Sequence, residues 1–476
     1  MNTAHKVVAI VPSVEFDAAL IRKLNQMGPR YTSYPTADRF TPDFSGADYD
    51  AAVARVRARG APQPLSLYVH IPFCESLCYY CGCNKIITQD RSKAVQYLDY
   101  LKREIAMQGR RLEGMNQVAQ LHFGGGTPTY LSDDQMAGLL DCLRTWFAFA
   151  PDASGEYSVE VDPRTVTRAR VHTLRAQGFN RISLGVQDFD PEVQRAVNRI
   201  QPEHETLEVI AAAREAGFRS VSIDLIYGLP KQDLGTMAQT LAKVVAADPD
   251  RIAIYNYAHM PHLFKSQNLI KAEDLPSPDT KLDMLALCIE RLGAAGYVYI
   301  GMDHFAKPDD DLARAQREGR LQRNFQGYST HAEADMVALG VSGISALGGT
   351  YSQNDKSITG YYARLDEDQL PIRRGVVLSE DDRLRRDVIG RLMCDFALRF
   401  DALALPPGVA FASYFAAELV ALQALADDGL LRMDADGIEV SLKGRLLIRN
   451  IGMVFDRYLG QPRPEGPAPR RYSSTI

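Results

Sequence analysis

Four cysteines, Cys74, Cys78, Cys81 and Cys83, fall within ten residues of one another in a chain that has seven. The first three are spaced C-x3-C-x2-C in the run Pro72-Phe73-Cys74-Glu75-Ser76-Leu77-Cys78-Tyr79-Tyr80-Cys81-Gly82-Cys83. Thiolates this close in one loop can wrap a single iron–sulfur cubane. Three thiolates on four irons leave one iron without a protein ligand, and an open iron can bind a substrate or cosubstrate directly. Cys83, only two residues past Cys81, would be an awkward fourth ligand. A structural zinc site usually pairs C-x2-C knuckles across a longer spacer, and no partner knuckle is present. The remaining cysteines, Cys142, Cys288 and Cys394, are scattered through apolar-periodic segments. An odd count clustered in this way points to metal or redox chemistry, not to a disulfide framework.

Other residue types could serve such a centre. Gly124-Gly125-Gly126-Thr127-Pro128 follows an apolar run. Glycines let a backbone approach a ligand closely, with N–H and C=O groups free to bind it. The pattern is neither G-x-G-x-x-G nor a P-loop, and a plain Gly-rich turn is the alternative. Glu160 and Gln187 end strand-like runs, where a ligand contact and a solvated strand end are both open readings. Asp224 stands inside Ile223-Asp224-Leu225-Ile226-Tyr227-Gly228. A carboxylate in so apolar a run needs a partner or a ligand. His259 and His304, the latter beside Asp303, have no third metal ligand at useful spacing; anion binding or loop packing suits them better. Arg30, Lys85, Arg199 and Arg323 are candidates to pair with substrate carboxylates, Arg199 first among them, because guanidinium forks match carboxylates.

The elements that must position these residues show a rhythm from about 65 to 305. Short β-branched or aromatic runs (Leu65–Ile71, Gln120–Phe123, Tyr157–Val161, Arg181–Val186, Ser220–Ile226, Ile252–Tyr257, Tyr297–Met302) alternate with helical patterns (Val95–Met107, Asp134–Phe147, Glu205–Ala216, Met237–Ala247, Lys281–Ala294). Strand–helix alternation predicts an α/β fold with a parallel sheet, closed fully or partly into a barrel. Chemistry in such folds gathers on loops after strand C-termini, where each motif above lies. Residues 1–64 form an N-terminal arm, with a short amphipathic helix over Phe16–Met27 and an irregular segment, Gly28–Thr36, pinned by two prolines. Residues 65–375 are the expected barrel. Residues 376–476 read as helices over Asp381–Phe400, Tyr414–Ala426 and Lys443–Val454 with a small hairpin at an Asp/Gly turn within Asp428–Val440, a compact, mainly helical unit resembling a winged helix. The tail from Gly460 carries four prolines and is expected to be loosely ordered.

Composition excludes several classes. With 476 residues, 46% hydrophobic and 24% charged, the chain is ordinary globular protein. Lys+Arg 54 against Asp+Glu 59 gives a net charge of -5, which lacks the basic field of a general nucleic-acid binder. The longest uncharged stretch, Met336–Asn354, is too rich in Gly, Ser and Thr to cross a bilayer. Val7–Val11 is too short for a signal-peptide core. These features place the protein in the cytoplasm.

The motif Cys74-x3-Cys78-x2-Cys81, with the aromatic Tyr80 before the third cysteine, resembles the cluster motif of radical S-adenosylmethionine (SAM) enzymes. The wider string from Tyr68-Val69-His70-Ile71-Pro72-Phe73-Cys74 to Cys83-Asn84-Lys85 is similar to that of the oxygen-independent coproporphyrinogen III oxidases, also called coproporphyrinogen dehydrogenases. Gly28–Thr36, Leu121–Tyr130, Glu160–Arg164, Asn180–Phe189, Ile223–Lys231, Tyr255–His259, Gly301–Phe305 and Lys443–Ile451 are similar too, so the resemblance runs from about Leu20 to Tyr458. Cys83 and Gly28–Thr36 point to this family among its radical SAM relatives.

The resemblance implies one 4Fe-4S cluster on Cys74, Cys78 and Cys81, and two SAM molecules. Tyr68, Gly125, Gly126, Thr127, Glu160 and Ile344 would surround the first SAM, and Tyr80, Gln187, Arg199, Asp224 and Ala258 the second. Tyr80 stands where the family is expected to have phenylalanine. Cys83 would be catalytic, positioning the second SAM or moving a proton or electron. The implied reaction is reductive cleavage of SAM, abstraction of a propionate β-hydrogen, and loss of carbon dioxide and one electron, twice per coproporphyrinogen III, to give protoporphyrinogen IX. The implied partners are that substrate and an electron donor for the cluster, with no nucleic acid, no membrane and a monomeric chain. Two other readings are a haem chaperone on the same scaffold and a DNA-binding winged helix carrying Lys443, Arg445 and Arg449.

Overall fold

The computed structural model describes residues 13–60, 63–461 and 472–473. Val7–Val11 and most of the proline-bearing tail lie outside the described residues.

Six parallel strands, β1 (Leu65–Ile71), β2 (Gln117–Gly125), β3 (Glu156–Val161), β4 (Arg181–Gln187), β5 (Ser220–Tyr227) and β6 (Arg251–Asn256), form the heart of a thirteen-stranded sheet. Helices α2 (Ser92–Arg111), α3 (Asp133–Trp146), α4 (Arg168–Ala176), α5 (Glu203–Glu215) and α6 (Leu234–Ala247) connect them and cover the outer face. Ser132 and Asp233 start α3 and α6 with capping boxes, which satisfy N–H groups that the first turn leaves unpaired. Two further strands, β7 (Val298–Gly301) and β8 (His304–Ala306), follow α7 (Pro278–Ala294) and add antiparallel to the β6 edge. The expected βα rhythm is present, with strand ends displaced by one to three residues.

Strand alternation separates the two faces of the sheet. On β1, Leu65, Leu67, Val69 and Ile71 are fully buried toward the helices. Ser66, Tyr68 and His70 occupy the alternate positions and face the concave interior. The neighbouring strands repeat this with Gln120 and His122, Glu156 and Glu160, and Ser222 and Asp224. The interior is therefore polar, and its floor is an ion cage in which Arg181 lies 3.3 Å from Glu156 while Thr330 donates to the same carboxylate.

On the other side of β1 stands an extension absent from the expectation. The chain from 335 to 354 carries β9 (Asp335–Leu339), parallel to β1, then β10 (Ile344–Leu347) and β11 (Thr350–Asn354) in antiparallel meander, followed by β12 (Ile372–Val377). Gly340, Gly348 and Gly349, at φ +98°, +55° and +77°, make the tight turns. A buried carboxyl, Glu104 of α2, ties this extension to the barrel. It accepts from Gly340 N at 2.7 Å, Asn354 Nδ2 at 2.7 Å and Tyr361 Oη at 2.6 Å, and burial without a cation pushes it up to about 7.

The sheet does not close on itself, so the barrel is partial. The N-terminal arm spans the opening. Its helix α1 (Ala18–Leu24) is shorter than the predicted Phe16–Met27. Beyond it, Arg30 pairs with Asp303 between β7 and β8, and Thr41 pairs by backbone with Gly375 on β12.

In the C-terminal region α8 (Glu380–Asp395) stops short of the expected Phe400. Phe396 takes φ +55° and turns the chain into a strand, Ala397–Arg399. That strand pairs with Gly437–Val440, which also pairs with Leu431–Met433, so the anticipated hairpin is a three-stranded sheet. Helix α9 (Ala416–Asp427) packs against it and α10 (Ile448–Val454) packs on α8 and α9; the expected Lys443–Val454 helix is broken at Leu447 into Leu442–Leu446 and α10.

Candidate functional site

The cysteine loop leaves the C-terminal end of β1. A two-residue strand, Phe73–Cys74, pairs in parallel with Ile86–Ile87, so Cys74 is fixed by backbone. Thr127 Oγ1 donates to Cys74 Sγ at 3.4 Å. Cys78 Sγ receives Arg199 Nη1 at 3.5 Å and Arg164 Nη2 at 3.7 Å. Both guanidiniums also hold Asp162, at 3.1 and 2.6 Å. Burial works against the Asp162 charge, and these two cations override it, keeping its carboxyl below the usual range. The Cys81 carbonyl is held by Lys85 Nζ at 2.8 Å and the Tyr80 carbonyl by Gln267 Nε2 at 3.0 Å.

The thiols are not equivalent. Burial pushes Cys74 up to about 11. A hydrogen bond from the Cys83 side chain, aided by Lys85, holds Cys81 down to about 6. The same bond raises Cys83, which is exposed. Among the described residues no group of three or more His, Cys, Asp or Glu is gathered closely enough to hold one metal ion. The donor set, three thiols in one loop with cations beside the sulfurs, fits an anionic iron–sulfur cluster with separated irons.

The Gly-rich turn works differently from the expectation. Its amides are consumed inside the protein: Gly126 N donates to Ile71 O and Thr127 N to Phe73 O, both at 2.8 Å, and Gly125 N to Glu160 Oε2 at 3.3 Å. Glycine is required here for close packing. A Cβ on Gly126 would meet the Phe73 carbonyl oxygen at 2.8 Å, and one on Gly125 (φ +114°) would meet the His70 ring at 2.6 Å. The turn thus clamps the cysteine loop, and no free N–H row is offered.

A cavity of about 430 Å³ gathers Cys74, Cys78, Cys81 and Cys83 with Tyr80, Gly125, Gly126 and Thr127. Its far wall is Glu160, Gln187, Arg199 and Asp224. Gln187 sits at φ +70°, at the register shift that ends β4. Asp224 is pushed up to about 7, by burial first and then by Glu160; the Ser183 hydroxyl at 3.3 Å is its partner. Tyr68, Ala258 and Ile344 are outside this lining. Tyr68 stacks on His122 at 5.8 Å and bonds His70 Nδ1 at 3.0 Å. Ala258 borders an adjoining cavity of about 670 Å³, and its carbonyl accepts from Gln267. Ile344 is on β10, across the interior.

Four residues of the site were given no role in the sequence reading. His122 bonds Glu160 Oε1 at 2.9 Å, His70 bonds the Asn84 carbonyl at 3.0 Å, and Asp162 and Arg164 complete the ionic group at Cys78. The period-two spacing of His122 with Gln120, and of His70 with Tyr68, is the signal that could have found the histidines. The arginine candidates also sort themselves. Arg199 is engaged by Asp162, Arg30 by Asp303 and Lys85 by a backbone carbonyl, and the Arg199 Nε is left buried without a partner. The two histidines give no metal site: His259 bonds Tyr257 Oη at 2.9 Å and His304 the Met302 carbonyl at 2.7 Å.

The profile of the radical SAM superfamily matches residues 68–244, and that of the HemN C-terminal domain residues 378–447. The chain is 52% identical over 450 residues to the oxygen-independent coproporphyrinogen III oxidase of Pseudomonas aeruginosa, covering 94% of this chain and 97% of that one. It is 52% identical to the Escherichia coli enzyme of the same name, covering 95% and 97%. The solved structure of coproporphyrinogen III oxidase from Escherichia coli, described as a radical SAM enzyme, superposes with a TM-score of 0.89 at 50% identity, over 94% of this chain and 100% of that one.

Proposed function

Because the chain belongs to the oxygen-independent coproporphyrinogen III oxidase family of radical SAM enzymes, we propose that it converts two propionate side chains of coproporphyrinogen III to vinyl groups, giving protoporphyrinogen IX in porphyrin biosynthesis. Each propionate loses a β-hydrogen atom, carbon dioxide and one electron. The observation that carries the reading is the convergence of three cysteines with Arg164 and Arg199 at the C-terminal end of β1.

A 4Fe-4S cluster with SAM supplies, when bound, the electron and the hydrogen-abstracting power that the reaction needs. Cys74, Cys78 and Cys81 would hold the cluster. Thr127 positions Cys74 by its hydroxyl, and the two guanidiniums offset negative charge at the Cys78 sulfur. Glu160, braced by His122 and the Gly125 amide, presents a carboxylate toward the cavity and suits the SAM amino group, together with Tyr68, Gly125, Gly126, Thr127 and Ile344. The wall formed by Tyr80, Gln187, Arg199 and Asp224, with Ala258 behind it, suits a second SAM. Cys83, free of the cluster and exposed, is placed to position that second molecule or to exchange a proton. The three-part division at 64/65 and 375/376 separates the closing arm, the catalytic barrel and a lid-like C-terminal unit.

No helix among the described residues is long and apolar enough to cross a membrane, which suits a cytoplasmic monomer reduced by a separate electron donor. The test is anaerobic cluster reconstitution, then incubation with SAM, a chemical reductant and coproporphyrinogen III. Protoporphyrinogen IX is the expected product. An intact cluster that cleaves SAM but leaves coproporphyrinogen III untouched would overturn the assignment.

A further inference from the structure

A second cavity, of about 570 Å³, lies between α8 and strands β9–β11. It stands beside the site above. Arg323, in its lining, lies over the ring of Tyr328, and Tyr328 shares a smaller cavity of about 150 Å³ with Glu160 and Asp224.

Three of its polar atoms are buried without a partner, two donors and one acceptor, the acceptor being Asp395 Oδ1. Arg323 donates Nε to the Arg30 carbonyl at 3.1 Å and lies over the Tyr328 ring at 4.9 Å, yet its Nη1 is buried with no acceptor. Asn324 accepts from Gln326 N through Oδ1 at 2.9 Å, which fixes its amide, and its Nδ2 is likewise buried with no acceptor. At the mouth stand the exposed Arg383 and Arg386 of α8. Among the described residues no carboxylate comes within ion-pair distance of Arg323, Arg383 or Arg386. Four carboxylates do line the cavity. Asp335 is engaged by Arg59, Asp387 by Arg391 and Glu333 by His331, and Asp395 stands alone with its carboxyl pushed up by burial.

We propose that this cavity binds the carboxylates of the substrate's propionate side chains that are not reacting, with Arg323 and Asn324 as the inner anchor and Arg386 at the entrance. A guanidinium beside an amide N–H is the donor arrangement that a carboxylate fits. The proposal rests on the reading of coproporphyrinogen III as substrate. That substrate carries four carboxylates, so those not reacting need cationic partners outside the cluster site, and Arg323 is joined to that site through Tyr328.

Two variants of the cluster-loaded enzyme test it, Arg323→Met and the exposed Arg386→Glu, assayed anaerobically with coproporphyrinogen III. Arg323→Met should raise KM by about tenfold and Arg386→Glu by about threefold, each with kcat within about twofold of wild type. Iron content and reductive SAM cleavage without substrate should be unchanged, and the Arg386→Glu effect should fade at high salt. Should Arg323→Met fail to fold, Arg386→Glu decides alone. Unchanged KM in the folded variants would overturn the proposal while leaving the activity standing. A wild-type enzyme that never turns over coproporphyrinogen III would instead overturn the substrate assignment itself.

Discussion

Arg199 holds the Cys78 sulfur and the Asp162 carboxylate with the same guanidinium nitrogen, at 3.5 and 3.1 Å. Both partners of the ion pair are about nine-tenths buried, and Arg164 holds the same carboxylate at 2.6 Å, so removing Arg199 takes one of its two cations. Arg199→Ala should destabilise the fold by about 1–3 kcal/mol, as expected for a lost buried hydrogen bond to a charged group. Thermal denaturation of the anaerobic protein reads this directly. A melting temperature equal to wild type would show that Asp162 is satisfied by Arg164 alone.

Serine at Cys74, Cys78 or Cys81 should abolish iron binding, whereas serine at Cys83 should leave about four irons per chain. Cys83→Ser should nevertheless lose decarboxylation. Iron analysis and product assay on the same preparations separate the two roles. Retained iron in any of the first three variants would remove that residue from the ligand set.

Glu104 sets a pH dependence remote from the cluster. Its folded-state pKa, about 7, is raised above its ordinary value near 4.5, so the folded protein binds the extra proton. The stabilisation is complete below about pH 4.5 and is lost as pH rises through about 7. Denaturant unfolding at pH 5, 6, 7 and 8 should show Glu104→Gln less stable than wild type at pH 5, by about 1–2 kcal/mol for an altered buried hydrogen bond, with the gap closing toward pH 8. A gap independent of pH would rule out the raised carboxyl.

The C-terminal unit should not bind DNA specifically. Arg449 donates Nε to the Pro29 carbonyl at 3.1 Å, Arg445 donates to Ser13 O at 2.7 Å, and Lys443 pairs with Asp17 at 3.1 Å. The basic residues that might have suggested a recognition helix are spent on the N-terminal arm. A duplex-binding titration at physiological salt should give nothing tighter than about 10⁻⁴ M. Sub-micromolar binding would reverse this reading.

Much of the barrel was legible in the sequence because β1 to β6 combine a fully apolar outer face with helices of clear period. The β9–β11 extension was not. Met336–Asn354 is uncharged and glycine-rich because β11 is buried throughout and the turns are tight, and that composition resembles a linker as much as a meander. The end of α8 was missed for a related reason, since nothing about Phe396 announces a left-handed residue. At the site, the cysteine spacing and the glycine turn could be found locally. The partnership of Arg199 with Asp162 could not, because it joins the loop after β3 to the segment before α5 and only the fold brings them together. Of the four basic residues the sequence offered for carboxylates, Arg323 has no ion-pair partner among the described residues and keeps a buried Nη1 unpaired, which its place in the sequence did not reveal.

The strap from Arg30 to Thr41 has a mechanical consequence. A barrel sealed by hydrogen-bonded strands can widen only by unzipping a whole ladder. Here the circumference is completed by one length of peptide, fastened to one rim by the Arg30–Asp303 ion pair and to the other by the Thr41–Gly375 bridge. Side chains also pin it along its length, Arg449 on the Pro29 carbonyl, Arg323 on the Arg30 carbonyl and Tyr31 on Asp456. The girth of the chamber is thus set by a laced seam and not by strand number.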